Sequence, residues 1–187
     1  DSQSPVENCV FFTVYVTVGP VNECDPEFSY PSSGEYVATI AENTAIGTTV
    51  MTVIASDCDA DEQHHGQVYF SLPDAVSEGA SLFSIDKFTG EIVVGRTLDY
   101  DSGATSYNFT VEAADSLTNN TEMRSSSIFV QVYLTDVNDN RPLFSPVIYE
   151  QTVIDNIATG TTVKTVFAAD ADSGDNALIT YDIVGGD

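Results

Sequence analysis

Tyr107-Asn108-Phe109-Thr110-Val111-Glu112-Ala113 alternates apolar and polar residues without a break, a period of two that belongs to a half-buried β-strand and not to a helix. Tyr107, Phe109, Val111 and Ala113 share one face. Asn108, Thr110 and Glu112 share the other. Further along, Val130, Val132 and Leu134 alternate in the same way with Phe129, Gln131 and Tyr133, which predicts a second strand with Phe129 and Tyr133 turned outward. Working out from this pair gives seven candidate strands, near 36–41, 48–55, 67–71, 82–85, 91–94, 106–113 and 125–134. Turn-rich stretches such as Lys87-Phe88-Thr89-Gly90 separate them. No segment of useful length carries a 3.6-residue period. Seven short strands in about a hundred residues predict an all-β, two-sheet sandwich. Phe28, Phe83, Tyr107, Phe109 and Phe144 are expected in its core.

Charge narrows the function. Acidic side chains outnumber basic ones 29 to 5, for a formal charge of −24, yet 42% of the 187 residues are hydrophobic, as in a folded protein. An acidic surface on a folded frame repels nucleic acid and anionic headgroups and attracts cations. Abundant hard oxygen ligands make calcium the natural ion. No apolar run reaches the length of a membrane span; Val10 to Val18 is short and holds Thr13 and Thr17. Any anchor is expected outside this chain. The triplets at Asn108 and Asn119 are candidate glycan acceptors.

An internal repeat sets the boundaries. Pro26-Glu27-Phe28, Tyr36, Gly47-Thr48-Thr49-Val50 and Asp57-Cys58-Asp59 recur in order as Pro142-Leu143-Phe144, Tyr149, Gly160-Thr161-Thr162-Val163 and Asp170-Ala171-Asp172. Phe12 to Val18 matches the last strand of the whole repeat, and Val21-Asn22-Glu23 falls where Val137-Asn138-Asp139 does. The expected division is the end of one repeat over 1–24, a complete repeat over 25–140, and the start of a third over 141–187. Neither partial piece buries enough apolar surface to be expected to fold alone.

The motifs Ala41-Glu42-Asn43, Phe83-Ser84-Ile85-Asp86 with Thr89-Gly90-Glu91-Ile92, Leu98-Asp99-Tyr100-Asp101, Ala113-Ala114-Asp115 and Asp136-Val137-Asn138-Asp139-Asn140-Arg141-Pro142 resemble, in order and spacing, the cadherin repeat. The resemblance implies a seven-stranded Greek-key, immunoglobulin-like sandwich in a tandem extracellular array. It also implies a calcium-dependent cell-adhesion segment at the cell surface, with other cadherin-repeat proteins as homophilic or heterophilic partners.

Independently of the family, Glu42, Asp99, Asp101, Asp136, Asp139, Asp170 and Asp172 would meet at one junction if the first strand starts and the last strand ends at the same pole. Seven carboxylates would repel one another there, and three Ca²⁺ carry six compensating charges. By motif position the resemblance implies that Glu42, Asp99, Asp101 and Asp139 hold two ions. Asn138, the carbonyl of Asn140, Asp170, Asp172 and the carbonyl of Asn176 would hold the third with its neighbour, and Asp136 belongs to the same metal set. Asp101 stands where the family usually has Glu, and Asp155 replaces the counterpart of Glu42.

The upstream junction is irregular. Asp57, Asp59 and Asp115 match the receiving half of a calcium site, but the linker reads Pro20-Val21-Asn22-Glu23-Cys24-Asp25, with Pro20 in place of the first Asp and Cys24 in place of the final Asn. The Gly174-Asp175-Asn176 turn has no upstream counterpart; Asp61-Glu62-Gln63-His64-His65 stands there instead. Fewer than three ions are expected. Of the three cysteines, Cys9, Cys24 and Cys58, one pair could form in an oxidising compartment. The cadherin-like joint would bring Cys24 and Cys58 close, as a staple in place of a lost ion.

Competing readings are poorer. Asp57-x-Asp59-x-Asp61 has Glu62 and Val68 where a helix-loop-helix calcium loop needs Gly and Glu. His64-His65 has no third ligand of matching spacing. Asp99 and Asp101 as a glycosidase pair compete with their use as calcium ligands, and no nucleophile motif is present. The chain reads as no enzyme, with no nucleic-acid or small-molecule substrate. The alternative to an adhesion segment is a mechanical extracellular filament or tether; a third reading makes the repeats accessories to an enzyme.

Overall fold

The computed structural model describes residues 11–18, 21–31, 34–59, 66–73, 79–116 and 122–186. Eleven strands follow in order: β1 Glu27–Phe28, β2 Tyr36–Ala41, β3 Thr49–Thr52, β4 Ala55–Ser56, β5 Tyr69–Ser71, β6 Phe83–Ile85, β7 Glu91–Val94, β8 Ser106–Ala114, β9 Ser125–Thr135, β10 Leu143–Phe144 and β11 Ala168–Ala169. The central repeat folds as a sandwich of a four-stranded sheet, β2-β9-β8-β5, and a three-stranded sheet, β3-β7-β6, with β1 and β4 paired separately. The long run 48–55 divides into β3 and β4, and Val53 between them is wholly buried.

The alternation sets the faces. Phe109, Val111 and Ala113 of β8 and Val130, Val132 and Leu134 of β9 are buried, while Asn108 and Phe129 are exposed. From the opposite sheet Ile92 and Val94 of β7 fill the other half of the core at 0% exposure. Phe83 bridges the sheets, its ring stacked 5.1 Å from that of Phe109. Burying each such side chain is worth about 1.5–3 kcal/mol. The β6–β7 turn closes on Asp86, whose Oδ1 accepts the N–H groups of Thr89 and Phe88. Those bonds hold its carboxyl below the usual range. Gly90 follows at φ +70°, where a Cβ would come within 2.3 Å of the Val53 carbonyl.

Strand direction places the junctions. β2 pairs with β9 in parallel, from Tyr36↔Val130 to Ala41↔Thr135. The first long strand therefore ends, and does not start, at the pole where the last strand ends. The poles thus meet by a route opposite to the sequence expectation, and Glu42 emerges beside Asp136, with the Glu42 N–H donating to the Thr135 carbonyl at 3.2 Å. β8 runs antiparallel to β9, so Asp115 lies at the other pole.

The repeat is visible as structure. Glu27↔Ser56 pairing recurs as Leu143↔Ala169. The Tyr36 hydroxyl donates to the Ser29 carbonyl and accepts the Ile54 N–H, just as the Tyr149 hydroxyl donates to Ser145 and accepts the Phe167 N–H. One expectation for the core fails. Phe144 is 48% exposed; its ring meets the edges of Tyr149 and Tyr181, and among the described residues its strand β10 pairs with β11 alone. Residues 12–18 form no strand and are exposed throughout.

Candidate metal centre

Glu42 is the fixed point of the downstream pole. It is buried, and its two oxygens accept the Tyr100 N–H at 2.6 Å and the Val137 N–H at 2.9 Å. One carboxylate thus ties the end of β2 to the loop of Asp99 and to the linker after β9. Both oxygens keep a further lone pair, and Glu42 lines a cleft of about 460 Å³ with Asp99, Asp101, Asp139 and Asn140.

Two carboxylate triads form there. Glu42, Asp99 and Asp101 each place an oxygen within 4.8 Å of the others, and Asp101, Asp136 and Asp172 do the same. Asp101 belongs to both. Ligands at 2.3–2.6 Å from one calcium ion stand at most about 5 Å apart, so each triad matches one ion's coordination sphere. Asp139 and Asp170 lie beside the triads. Asp139 is joined through the Asn140 amide at 3.0 Å, and Asp170 accepts the N–H of Asp172 at 3.0 Å. Asn138 faces the Asn176 carbonyl at 3.5 Å, and Asn176 donates to Asp136 at 3.0 Å. The structure therefore gathers all ten downstream residues named from the sequence.

Hydrogen bonding alone does not satisfy this cluster. The Asn140 amide nitrogen has two hydrogens but faces three carboxylate oxygens, of Asp101 at 2.6 Å, Asp172 at 2.8 Å and Asp139 at 3.0 Å. Asp101 Oδ1, Asp136 Oδ1 and Asp172 Oδ2 are buried with no hydrogen-bond partner. Burial, then repulsion from Glu42, Asp136, Asp172 and Asp139, pushes the Asp101 carboxyl up to about 6. Burial followed by repulsion from Glu42 and Asp172 raises Asp139 as well. Unpaired hard oxygens on carboxylates clustered this closely fit a divalent cation.

The upstream pole uses the same frame with different contents. Asp57 Oδ1 accepts the Asp59 N–H at 2.9 Å, as Asp170 does for Asp172, and Asp57 Oδ2 is buried without a partner. Burial raises the Asp57 carboxyl, with repulsion from Asp59 and Asp115 adding to it against the Asp59 N–H. Cys24 sits with Asp57 and Asp59, but it is joined to Cys58 in a disulfide, with Cα atoms 5.8 Å apart. A disulfide sulfur is no ligand for a hard cation.

Protein groups supply the remaining contacts. Asp59 accepts the N–H groups of Glu23 and Cys24. Asp115, 1% exposed, accepts the Arg124 N–H at 3.0 Å and a short bond from the Asn22 amide. Arg124 pairs with Asp25 at 2.9 Å. Asn22 and Arg124 were absent from the sequence-based ligand set, although the repeat already aligns Asn22 with Asn138. Nothing local singles out Arg124, which reaches Asp25 across 99 positions. Cys9, Pro20, His64, His65 and Asn119 lie outside the described residues.

An acidic joint at the pole of a Greek-key sandwich, repeated along the chain, defines a class of tandem extracellular β-repeats. The cadherin domain model matches residues 36–135, more than half of the chain, and the chain belongs to the cadherin family. It is 34% identical to rat cadherin-23 over 172 residues, covering 92% of this chain and 5% of that protein. It is 37% identical to human protocadherin Fat 4 over 175 residues, covering 94% and 3%. The crystal structure of mouse cadherin-23 EC22-24 superposes with a TM-score of 0.72 at 32% identity, covering 85% of this chain and 47% of that one. The chain thus spans a small part of the curated relatives. Cadherin domains are calcium-binding modules of extracellular, non-enzymatic proteins, and no helix among the described residues is long and apolar enough to cross a membrane.

Proposed function

We propose that the chain is a calcium-stiffened segment of a large adhesive ectodomain, with a complete repeat over 25–140 between the end of one repeat, 1–24, and the start of another, 141–187. Three Ca²⁺ bind at the 136–142 linker. Glu42, Asp99, Asp101 and Asp139 serve two of them, and Asp136, Asn138, Asn140, Asp170, Asp172 and Asn176 complete the set. Fewer bind at 19–25. The observation that carries this reading is the trio of buried, unpartnered oxygens on Asp101, Asp136 and Asp172, with no basic side chain among the described residues hydrogen-bonded to any of the three. Ions there would join the base of one sandwich to the start of the next and turn a repulsive joint into a rigid one. The array would then present recognition repeats elsewhere to other cadherin-repeat proteins, homophilic or heterophilic.

Calcium titration by calorimetry tests the reading. We expect dissociation constants on the order of 10⁻⁴ to 10⁻³ M, as for extracellular modules, and loss of the heat in Asp136→Asn. A flat titration at millimolar calcium would sink it. The tether reading gains from the Cys24–Cys58 bond, which pins a linker covalently and would resist load without an ion; pulling on the chain in chelator separates the two, since only a tether needs that joint to hold.

A further inference from the structure

Asn108-Phe109-Thr110 lies in the middle of β8. Phe109 enters the core, so the strand's period of two carries the Asn108 amide and the Thr110 hydroxyl to the same outward face. The two functional groups of an acceptor triplet are thus presented side by side. Asn108 is exposed, and its amide has no hydrogen-bond partner among the described residues.

Asn108 stands in register with Gln131 of β9, and Gln131 with Val37 of β2. Phe129 sits on the diagonal from Asn108, about 7–8 Å away across the pair, and is 81% exposed. These residues, with Tyr30, Glu35 and Tyr36, line a shallow trough of about 340 Å³ that includes Asn108. Aromatic and aliphatic surface interleaved with amide groups suits a ligand with apolar faces and hydroxyl rims, which is the chemistry of a sugar. A second copy of this chain fits less well, because each copy carries a formal charge of −24.

We propose that Asn108 carries an N-linked glycan whose first sugars lie in this trough against Phe129 and Val37, covering the outward apolar face of the four-stranded sheet. The donor class is a polyprenyl-pyrophosphate oligosaccharide. The bond from the sugar's anomeric carbon to the pyrophosphate oxygen breaks, a bond to the Asn108 amide nitrogen forms, and the amide proton leaves with the released lipid pyrophosphate. No oxidation state changes. The proposal rests on the extracellular assignment, and secretion of the chain checks that assignment separately.

The test uses the chain secreted from cultured animal cells as Asn119→Gln, so that one triplet remains, with intact mass measured before and after an amidase that releases N-glycans and converts the acceptor to Asp. One glycan on Asn108 is expected, and none in the Asn108→Gln, Asn119→Gln pair. Thermal midpoints then test the trough: removing the glycan should lower the midpoint by about 2 to 4 °C, the scale of a fraction of a kcal/mol in a repeat of this size, and by less than about 1 °C in Phe129→Ser. An unmodified Asn108 in the secreted chain overturns the proposal. So does a glycan effect that is the same with and without Phe129, which places the sugars off the trough.

Discussion

At the pole where β2 and β9 end, one amide, of Asn140, is spread over three carboxylates; at the opposite pole the corresponding residue is Cys24, and its sulfur is bonded to Cys58. The surrounding frame is nearly the same. Asp57 and Asp59 repeat the hydrogen-bonded turn of Asp170 and Asp172, and linker N–H groups run to Asp59 as the Asn140 N–H runs to Asp172. Two joints of one architecture therefore meet the same electrostatic problem differently. The downstream joint gathers uncompensated oxygens that call for an ion. The upstream joint has fewer of them and meets part of the demand with a covalent bond, the Asn22 amide and the Arg124–Asp25 ion pair.

The largest expected break in this contrast is covalent. Replacing both Cys24 and Cys58 by Ser should cost about 2–4 kcal/mol, as for a disulfide closing a loop of this length, read by chemical denaturation. The cost should be equal in calcium and in chelator. A cost that appears only in chelator would mean that an ion and the disulfide stabilise the upstream joint together.

Next come the carboxylates. Asp136→Asn should weaken calcium binding at least tenfold, about 1.4 kcal/mol, because it removes charge from a triad whose oxygens have no other partner. Asp57→Asn should weaken the total binding less than about threefold. Equal losses in calorimetry would make the joints alike and remove the distinction.

Asparagine sharpens the same point on a smaller scale. Asn22→Ala should cost about 1–2 kcal/mol whether or not calcium is present, since it strips a donor from buried Asp115. Asn138→Ala, its counterpart, should matter only in calcium. Thermal midpoints of the two variants under both conditions make the comparison.

Much of this was legible in the sequence because it depends on local pattern. Period-two alternation fixed which side of β8 and β9 is core, and repetition of Asp57-x-Asp59 as Asp170-x-Asp172 located the receiving half of each joint. What was hidden depends on strand direction and distant partners. Alternation says nothing about whether β2 runs parallel or antiparallel to β9, so the pole that carries Glu42 was reached by the wrong route. Arg124 meets Asp25 only because β1 lies beside the start of β9. Phe144 reads as core because it is aromatic and repeats Phe28, yet only Phe28 is buried, since burial requires neighbouring sheets as well as an apolar side chain.

The smallest predicted effect is a pH dependence, and it changes sign with calcium. Asp101 has its carboxyl raised to about 6 by burial and by its acidic neighbours, above its unfolded value of 3.8. In chelator its contribution to stability is therefore full below the unfolded value and is lost as pH rises through about 6. Calcium binds the ionised form, so its affinity should run the opposite way and fall a few-fold between pH 7.5 and 5.5. Asp139, raised for the same reasons, adds to both trends. Upstream, Asp57 is also raised, but with the joint held by Cys24–Cys58 its protonation should leave the linker geometry unchanged. Calorimetric titrations across that range, repeated in Asp101→Asn, isolate the downstream term. Calcium affinity that is flat with pH in the wild-type chain would mean that calcium binding does not compete with protonation of Asp101.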